Sequence, residues 1–229
     1  MDIMYKLHEE DIVRNTRTKN KSRIVTIISN HVKENIKNYL IVSIIFFIGI
    51  SLAVIFINNM QSEAKEEISN YLNNFITSIN GEYQIDKMQL LTNSIWKNVI
   101  FCITMWFAGS TVIGIPIVLG LVAYRGFCIG YTVSASIYTF GAQNGTLFFL
   151  SSIFLQNILI IPCILALVVS GLKLYKSIIK DRRRENVKIE IVRHTIFSLI
   201  MLILLILSSL IETYISASLL QMIANIIIK

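Results

Sequence analysis

The strongest constraint on this chain is a series of apolar runs that are too long for the core helices of a soluble domain. The first run, residues 38–57, contains no charged side chain. About 20 apolar residues in a helix cross about 30 Å of hydrocarbon. Of the 229 residues, 54% are hydrophobic and only 15% are charged, whereas a soluble domain carries about 25% charged residues. The chain is therefore predicted to be an integral membrane protein.

The other apolar runs predict the fold class, an all-α, polytopic membrane helix bundle with about five transmembrane helices. After the first span, four more are expected, at residues 94–124, 126–140, 146–172 and 195–215. Pro116 lies inside the second span and Pro162 inside the fourth. Because proline removes a backbone donor and kinks a helix, the second span is predicted to be Pro-kinked or broken and the fourth to be Pro-kinked. The sequence leaves open whether the second span is a bent crossing or a re-entrant pair.

The distribution of Lys and Arg predicts the orientation, because cytoplasmic loops carry an excess of these residues. Segments 1–37 and 173–194 each contain eight Lys or Arg residues, and the loop 59–93 contains two. The second basic segment includes Arg182, Arg183 and Arg184. Both basic segments are thus placed in the cytoplasm, and the 59–93 loop and the C-terminus outside it.

This orientation divides the chain into a cytoplasmic basic segment, 1–37, and a transmembrane domain, 38–229, that carries the extracytoplasmic loop. Arg125 is expected in a short inner turn between the second and third spans, and the alternative is a charge within the hydrocarbon, which is often functional. The GAQNG segment, 141–145, is expected to form an outer turn, since Gly and Asn favour turns.

An amphipathic helix is predicted within the outer loop. Its apolar side chains recur at helical spacing and form one face, namely Ile68, Tyr71, Leu72, Phe75, Ile76 and Ile79. Two interpretations of this face stay open. It packs on the bundle or lies in the lipid interface, or it docks an extracytoplasmic partner.

A series of small residues is predicted to mediate helix packing. Gly126, Gly130 and Ser134 follow a small-xxx-small pattern, which lets helix backbones approach closely in lipid. The pattern fits packing within one chain or a contact between two copies, so a homo-oligomer stays open. The other residues assigned to packing or kinking are Gly114, Pro116, Gly120 and Pro162.

The sequence offers no recognisable catalytic motif, and the chain is predicted not to be an enzyme. The centres of the expected spans offer mainly Ser, Thr and Gly, and Glu212 lies near the outer end of the last span. The three cysteines lie in apolar stretches without ligand-like spacing, so neither metal nor other cofactor is predicted. The basic residues flank the spans, which indicates contact with membrane lipids and not with nucleic acid.

The stretch from Trp96 to Ser134 resembles the stage II sporulation protein M family. The resemblance rests on an Asn at the start of a span, a G-x-P followed by a Gly, and then RGF-x-x-G. It implies a non-enzymatic inner-membrane protein of endospore-forming bacteria that acts during forespore engulfment. The expected role is to anchor and localise two peptidoglycan-degrading partners at the septum, the stage II sporulation proteins D and P. The alternative is a membrane subunit of a transporter or channel, motivated by the prolines at 116 and 162.

Overall fold

The computed structural model describes residues 32–80, 86–111, 113–180 and 184–227, and every element within these ranges is helical. The helices are α1 (Ile36–Asn58), α2 (Ser62–Asn80), α3 (Lys87–Gly109), α4 (Gly114–Phe149), α5 (Leu155–Lys180), α6 (Arg184–Ile211) and α7 (Ala217–Ile227). Five-residue π-helical turns, Leu150–Phe154 and Glu212–Ser216, join α4 to α5 and α6 to α7. The all-α prediction is confirmed for these ranges. The predictions for residues 1–31, Arg182, Arg183 and the Arg184 side chain fall outside what is described.

Three helical stretches are long and apolar enough to cross a membrane. They are Ile36–Asn58, Gly114–Ile179 and Val187–Ile227, of 23, 66 and 41 residues. The second stretch is about three times as long as one crossing requires. Helix α3 has spanning length but carries Lys97 and is not among the three. The membrane class is therefore supported, and the count of five spans stays a prediction.

Helices α3, α5 and α6 form the centre of the bundle. Helices α5 and α6 lie against each other over much of their length, and α3 packs against both. Gly109 on α3 meets Gly171 on α5 so closely that a Cβ on Gly171 would lie 3.1 Å from the Gly109 Cα. The amphipathic helix α2 contacts α4 and α7 instead. The bundle therefore presents one group of core helices and one peripheral group that includes α2 and α7.

The predicted second span, 94–124, is wrong in its boundaries, because the chain breaks there into two helices. Helix α3 ends at Gly109 and α4 begins at Gly114. The Thr111 hydroxyl accepts from the Gly114 backbone N–H at 3.1 Å and donates to the Ala108 carbonyl at 3.1 Å. Pro116 then falls in the first turn of α4, where its missing N–H costs nothing. Of the two expectations for this segment, a kinked or a broken helix, the structure has the broken helix.

The predicted turn at Arg125 is also wrong, since α4 continues through this residue. The backbone of α4 departs from helical geometry only at Gly141, with φ 79° and ψ 170°. A positive φ is readily adopted by glycine and disfavoured for residues with a Cβ. The expected GAQNG turn is thus reduced to a single residue, after which the helix resumes. Pro162 lies inside α5, and the kink expected there stays a prediction.

Candidate functional site

The main polar feature between the helices is the Glu212 carboxylate at the junction of α6 and its π-helical turn. The Ser94 hydroxyl of α3 donates to Glu212 Oε2. With its amide nitrogen turned towards the carboxylate, Gln156 of α5 donates to Oε2 at 2.8 Å and to Oε1 at 3.2 Å. Three helical segments that are distant in sequence therefore meet at one carboxylate. Hydrogen bonds to charged groups are stronger than those between neutral groups.

A second layer of hydrogen bonds lies next to Glu212 on the same helices. Asn98 Nδ2 donates to Ser209 Oγ at 2.8 Å and to the Leu205 carbonyl at 3.2 Å. The Ser208 hydroxyl donates to the Gln156 carbonyl at 3.1 Å. Ser208 and Ser209 are both fully buried. These bonds tie α3 to α6 and α6 to α5, where each polar group would otherwise be unpaired in an apolar bundle.

Arg125 lies within α4, in the apolar stretch Gly114–Ile179 that is long enough to cross a membrane. It stands 11 residues after Gly114, which corresponds to about 16 Å along the helix. Arg125 Nη2 donates to Asn157 Oδ1 at 3.3 Å, and Asn157 is 3% exposed. Arg125 Nε is buried and has no hydrogen-bond partner within the described residues. The Glu212 carboxylate is close enough for its charge to act on Arg125.

Together these side chains form what we call the polar network, which consists of Ser94, Asn98, Arg125, Gln156, Asn157, Ser208, Ser209 and Glu212. Arg125 contributes its charge from within α4 and not from a turn. A charge inside a membrane is costly and marks functional sites more often than chance. Four helices contribute to the network, so its geometry depends on the whole bundle.

The sequence carries a local signal for the polar network in the spacing of its polar residues. Ser94 and Asn98 are four residues apart on α3, and Ser208 and Glu212 are four residues apart at the end of α6. Residues at this spacing lie on one helix face. When two apolar helices each carry a row of polar side chains, these side chains need hydrogen-bond partners on each other's helix or on a third helix. The pairing partners themselves could not be read from the spacing.

A cavity of about 380 Å³ lies between α2 and the bundle and reaches the polar network. Its walls include Leu72 and Phe75 of α2, Phe148 of α4 and Leu220 of α7. Gln156 and Glu212 also line it. The cavity is thus mainly apolar, with a carboxylate and an amide at one end.

The predicted amphipathic helix is present as α2, and the structure places its apolar residues at different depths. Ile76 is 1% exposed and packs in a cluster with Phe148, Leu220 and Ala224. Leu72 and Ile79 pack partly against this cluster, and Ile68 is half-buried. Tyr71 is 70% exposed and Phe75 is 38% exposed. The chain itself therefore covers much of this face and leaves Tyr71 and one edge of Phe75 accessible.

Some of the small residues of α4 pack against α1, and others have open space where a Cβ would lie. A Cβ on Gly126 would lie 2.2 Å from the Phe46 carbonyl oxygen, and one on Gly130 would lie 2.7 Å from that of Ile50. A Cβ on Gly120 would meet nothing within 4 Å. Ser134 is half-buried on the same helix. Gly126 and Gly130 thus pack against α1 of the same chain.

This fold defines a class of protein: a helical membrane protein with a polar network between its helices. The family model for stage II sporulation protein M matches residues 42–217, from α1 to the first residue of α7. The chain therefore belongs to the stage II sporulation protein M family, and the resemblance drawn from Trp96–Ser134 is confirmed. The chain matches no curated protein and no solved structure. Membership in the family indicates a membrane protein of sporulation.

Proposed function

We propose that this protein is a non-enzymatic membrane anchor that localises peptidoglycan-remodelling partners at the septum during forespore engulfment. The observation that carries the proposal is the family match over residues 42–217. By the resemblance, the partners are the stage II sporulation proteins D and P. The anchor holds these partners in place, and the cleavage of peptidoglycan is left to them.

The proposed topology has five crossings in the bacterial cell membrane. They are α1, α3, residues 114–140, residues 142–180 and α6. Helices α1 and α4 run in the same direction. Gly126 packs against Phe46, and Gly130, four residues later, packs against Ile50, which is also four residues later. This parallel arrangement requires one crossing of opposite direction between them, and α3 supplies it. The N-terminus is then cytoplasmic, and the C-terminus and α2 are extracytoplasmic.

In this topology, α2 is the surface best placed for an extracytoplasmic partner. Its polar side, which includes Glu66, Glu67 and Asn70, is exposed. Tyr71 stands out from the same helix, and aromatic residues of this kind dominate binding energy at interfaces. Lys65 joins α2 to its neighbours, since its Nζ donates to the Asn58 carbonyl at 2.9 Å and lies 5.7 Å from the centre of the Tyr138 ring. The docking surface is thus a helix on which Tyr71 is the most exposed aromatic side chain.

The test is co-purification of partners from membranes of sporulating cells with tagged protein. Tyr71→Asp places a charge at the centre of the proposed docking surface without disturbing the buried Ile76 contacts. We expect the recovered amount of peptidoglycan-degrading protein to fall about tenfold, as for loss of an aromatic anchor. The variant should remain in the membrane fraction at the wild-type level.

Met88→Asp is the matched control, because Met88 is 72% exposed and lies on α3, outside the docking surface. We expect this variant to recover its partners at the wild-type level. Equal recovery by the Tyr71 variant and the control would exclude α2 as the docking surface. Failure of the wild-type protein to recover any cell-wall hydrolase would contradict the anchoring role itself.

A further inference from the structure

The two π-helical turns of the described chain lie in contact with each other and border the same cavity. Leu150–Phe154 contributes Ser152 and Ile153 to the cavity wall, and Glu212–Ser216 contributes Glu212 and Ser216. A π-helical turn is rare and occurs frequently at functional sites. Two such turns at one cavity are therefore a reason to ask what the cavity binds.

The cavity has the size and composition of a small-molecule site. Its volume of about 380 Å³ falls in the range of about 300–1,000 Å³ that is usual for ligand pockets. Most of its wall is apolar, and a few polar groups converge on one region. One of these is Ser216, which is 2% exposed and whose hydroxyl has no hydrogen-bond partner within the described residues. A buried hydroxyl without a partner is costly, and an occupant of the cavity can satisfy it.

The polar groups at the cavity define which end group an occupant needs. A carboxylate offers about four acceptor positions, and Glu212 receives donors from two side chains, Ser94 and Gln156. It can therefore accept a further hydrogen bond from an occupant. An anionic end group would be repelled by Glu212. Arg125 is not among the residues that line the cavity, so within the described walls the only charge is negative.

We propose that this cavity is a binding site for a small amphiphile with an aliphatic body and a primary ammonium end group. The aliphatic body lies between Leu72, Phe148 and Leu220. The ammonium group donates to Glu212 and to the Ser216 hydroxyl oxygen, which otherwise has no partner within the described residues. This role goes beyond partner anchoring and does not depend on it.

The experiment uses full-length protein in nanodiscs of phosphatidylcholine. The probe is dodecylamine that carries a photoreactive diazirine in its chain, and the matched probe is dodecanoic acid with the same diazirine. After illumination, labelled residues are identified by mass spectrometry. We expect the amine to label Leu72, Phe148 or Leu220 about tenfold more than the acid does. The ammonium group of the amine can form a charge-assisted hydrogen bond with Glu212, and the carboxylate of the acid cannot. Excess unlabelled dodecylamine should compete.

Two variants test the site from different directions. Glu212→Gln removes the charge at nearly constant shape and should lower labelling by the amine about tenfold. Ala217→Leu leaves the carboxylate in place and fills space at the cavity wall, since Ala217 lines the cavity and is 7% exposed; it should lower labelling by a similar factor. Ala142→Leu is the control, because Ala142 is exposed outside the cavity and should label as the wild type does.

Equal labelling of the cavity by both probes would overturn the proposal, since it would indicate an acyl chain of any lipid. The proposal would also be overturned if the amine labelled only exposed apolar residues such as Phe47 and Leu199 and unlabelled dodecylamine did not compete. The comparison of the two probes is made on the wild-type protein, so a variant that fails to fold leaves the test intact. The Tyr71→Asp co-purification is a separate readout, and a failure here would not be confused with a failure of the anchoring role.

Discussion

The contact between α1 and α4 and the polar network join helices in two different ways. At the first contact, glycines bring backbones together, and Gly126 and Gly130 would place a Cβ within 2.7 Å of a carbonyl oxygen of α1. In the polar network, side chains bridge the helices, and Glu212 collects donors from Ser94 and Gln156. In lipid, where burial of apolar surface gives no net gain, both close packing and hydrogen bonds can drive association.

The two regions differ in what they tolerate. Close packing of backbones depends on the absence of atoms, so the addition of a single methyl group is enough to disrupt it. The polar network depends on the presence of matched groups, and the loss of one group leaves its partner unsatisfied. The first region therefore fixes the position of α1 on α4. The second can hold α3, α5 and α6 together while leaving a carboxylate available at a cavity.

The largest effect is expected from Gly126→Ala. The new Cβ would lie 2.2 Å from the backbone oxygen of Phe46, so α1 must move away. We expect a loss of about 3 kcal/mol in the free energy of unfolding, after the gain in helix propensity of up to about 1 kcal/mol has been counted. The measurement is unfolding of the purified protein in mixed micelles by titration with dodecyl sulfate.

Gly120→Ala is the matched control on the same helix, where a Cβ meets nothing within 4 Å. This variant should be as stable as the wild type or slightly more stable, because alanine favours the helix. Equal stability of the two variants would mean that α1 does not approach α4 as described.

A smaller loss is expected from Glu212→Gln. The substitution keeps the shape of the side chain, but it removes a charged acceptor of two hydrogen-bonding groups and a charge that acts on Arg125. We expect a loss of about 2 kcal/mol, typical of a hydrogen bond to a charged group. The same titration measures it.

Arg125→Met tests whether the two charges interact. In a double-mutant cycle with Glu212→Gln, residues that share a network show coupling of about 0.5–3 kcal/mol. We expect the double variant to be more stable than the sum of the single losses implies, by about 1 kcal/mol. If the stability losses of the two single variants simply add in the double variant, the charges of Arg125 and Glu212 do not interact.

The smallest effect is expected from Ser94→Ala, which removes one donor from Glu212. A single hydrogen bond between membrane helices contributes about 0.6 kcal/mol on average and up to about 1.7, so we expect a loss of about 1 kcal/mol. Ser51→Ala is the control, because Ser51 is exposed and its hydroxyl bonds only within α1, to the Phe47 carbonyl at 3.0 Å. If the Ser51 control loses as much stability as the Ser94 variant, the hydrogen bond between Ser94 and Glu212 does not stabilise the bundle.

These two regions also show how far the sequence predicts the structure. The small-xxx-small pattern of Gly126 and Gly130 is local and periodic, and it identified residues that the structure places against another helix. The amphipathic helix α2 was predicted for the same reason, since six apolar residues share one face. Local spacing is sufficient for such features because a helix fixes which residues lie on one side.

The pairing of side chains in the polar network could not be predicted, because the partners are far apart in the chain. Ser94 and Glu212 are separated by 118 positions, and no local spacing indicates that they meet. The boundaries near Pro116 were wrong for a related reason. No charged residue interrupts the mainly apolar stretch from Val99 to Tyr124, whereas the helix break depends on the Thr111 hydroxyl and on a close approach of Gly114 to the Ala108 carbonyl. Both are features of three-dimensional packing.

The measurement that tests this account most directly is disulfide cross-linking across the polar network in native membranes. Cysteines at positions 94 and 212 are introduced in a chain whose Cys102, Cys128 and Cys163 are replaced by alanine. A second pair at positions 170 and 194 is the positive control, because the Ser170 hydroxyl lies 2.9 Å from His194 Nδ1 between α5 and α6. If α3 and α6 meet as described, both pairs will form a disulfide on mild oxidation. Cross-linking at 170 and 194 without any at 94 and 212 would contradict the polar network.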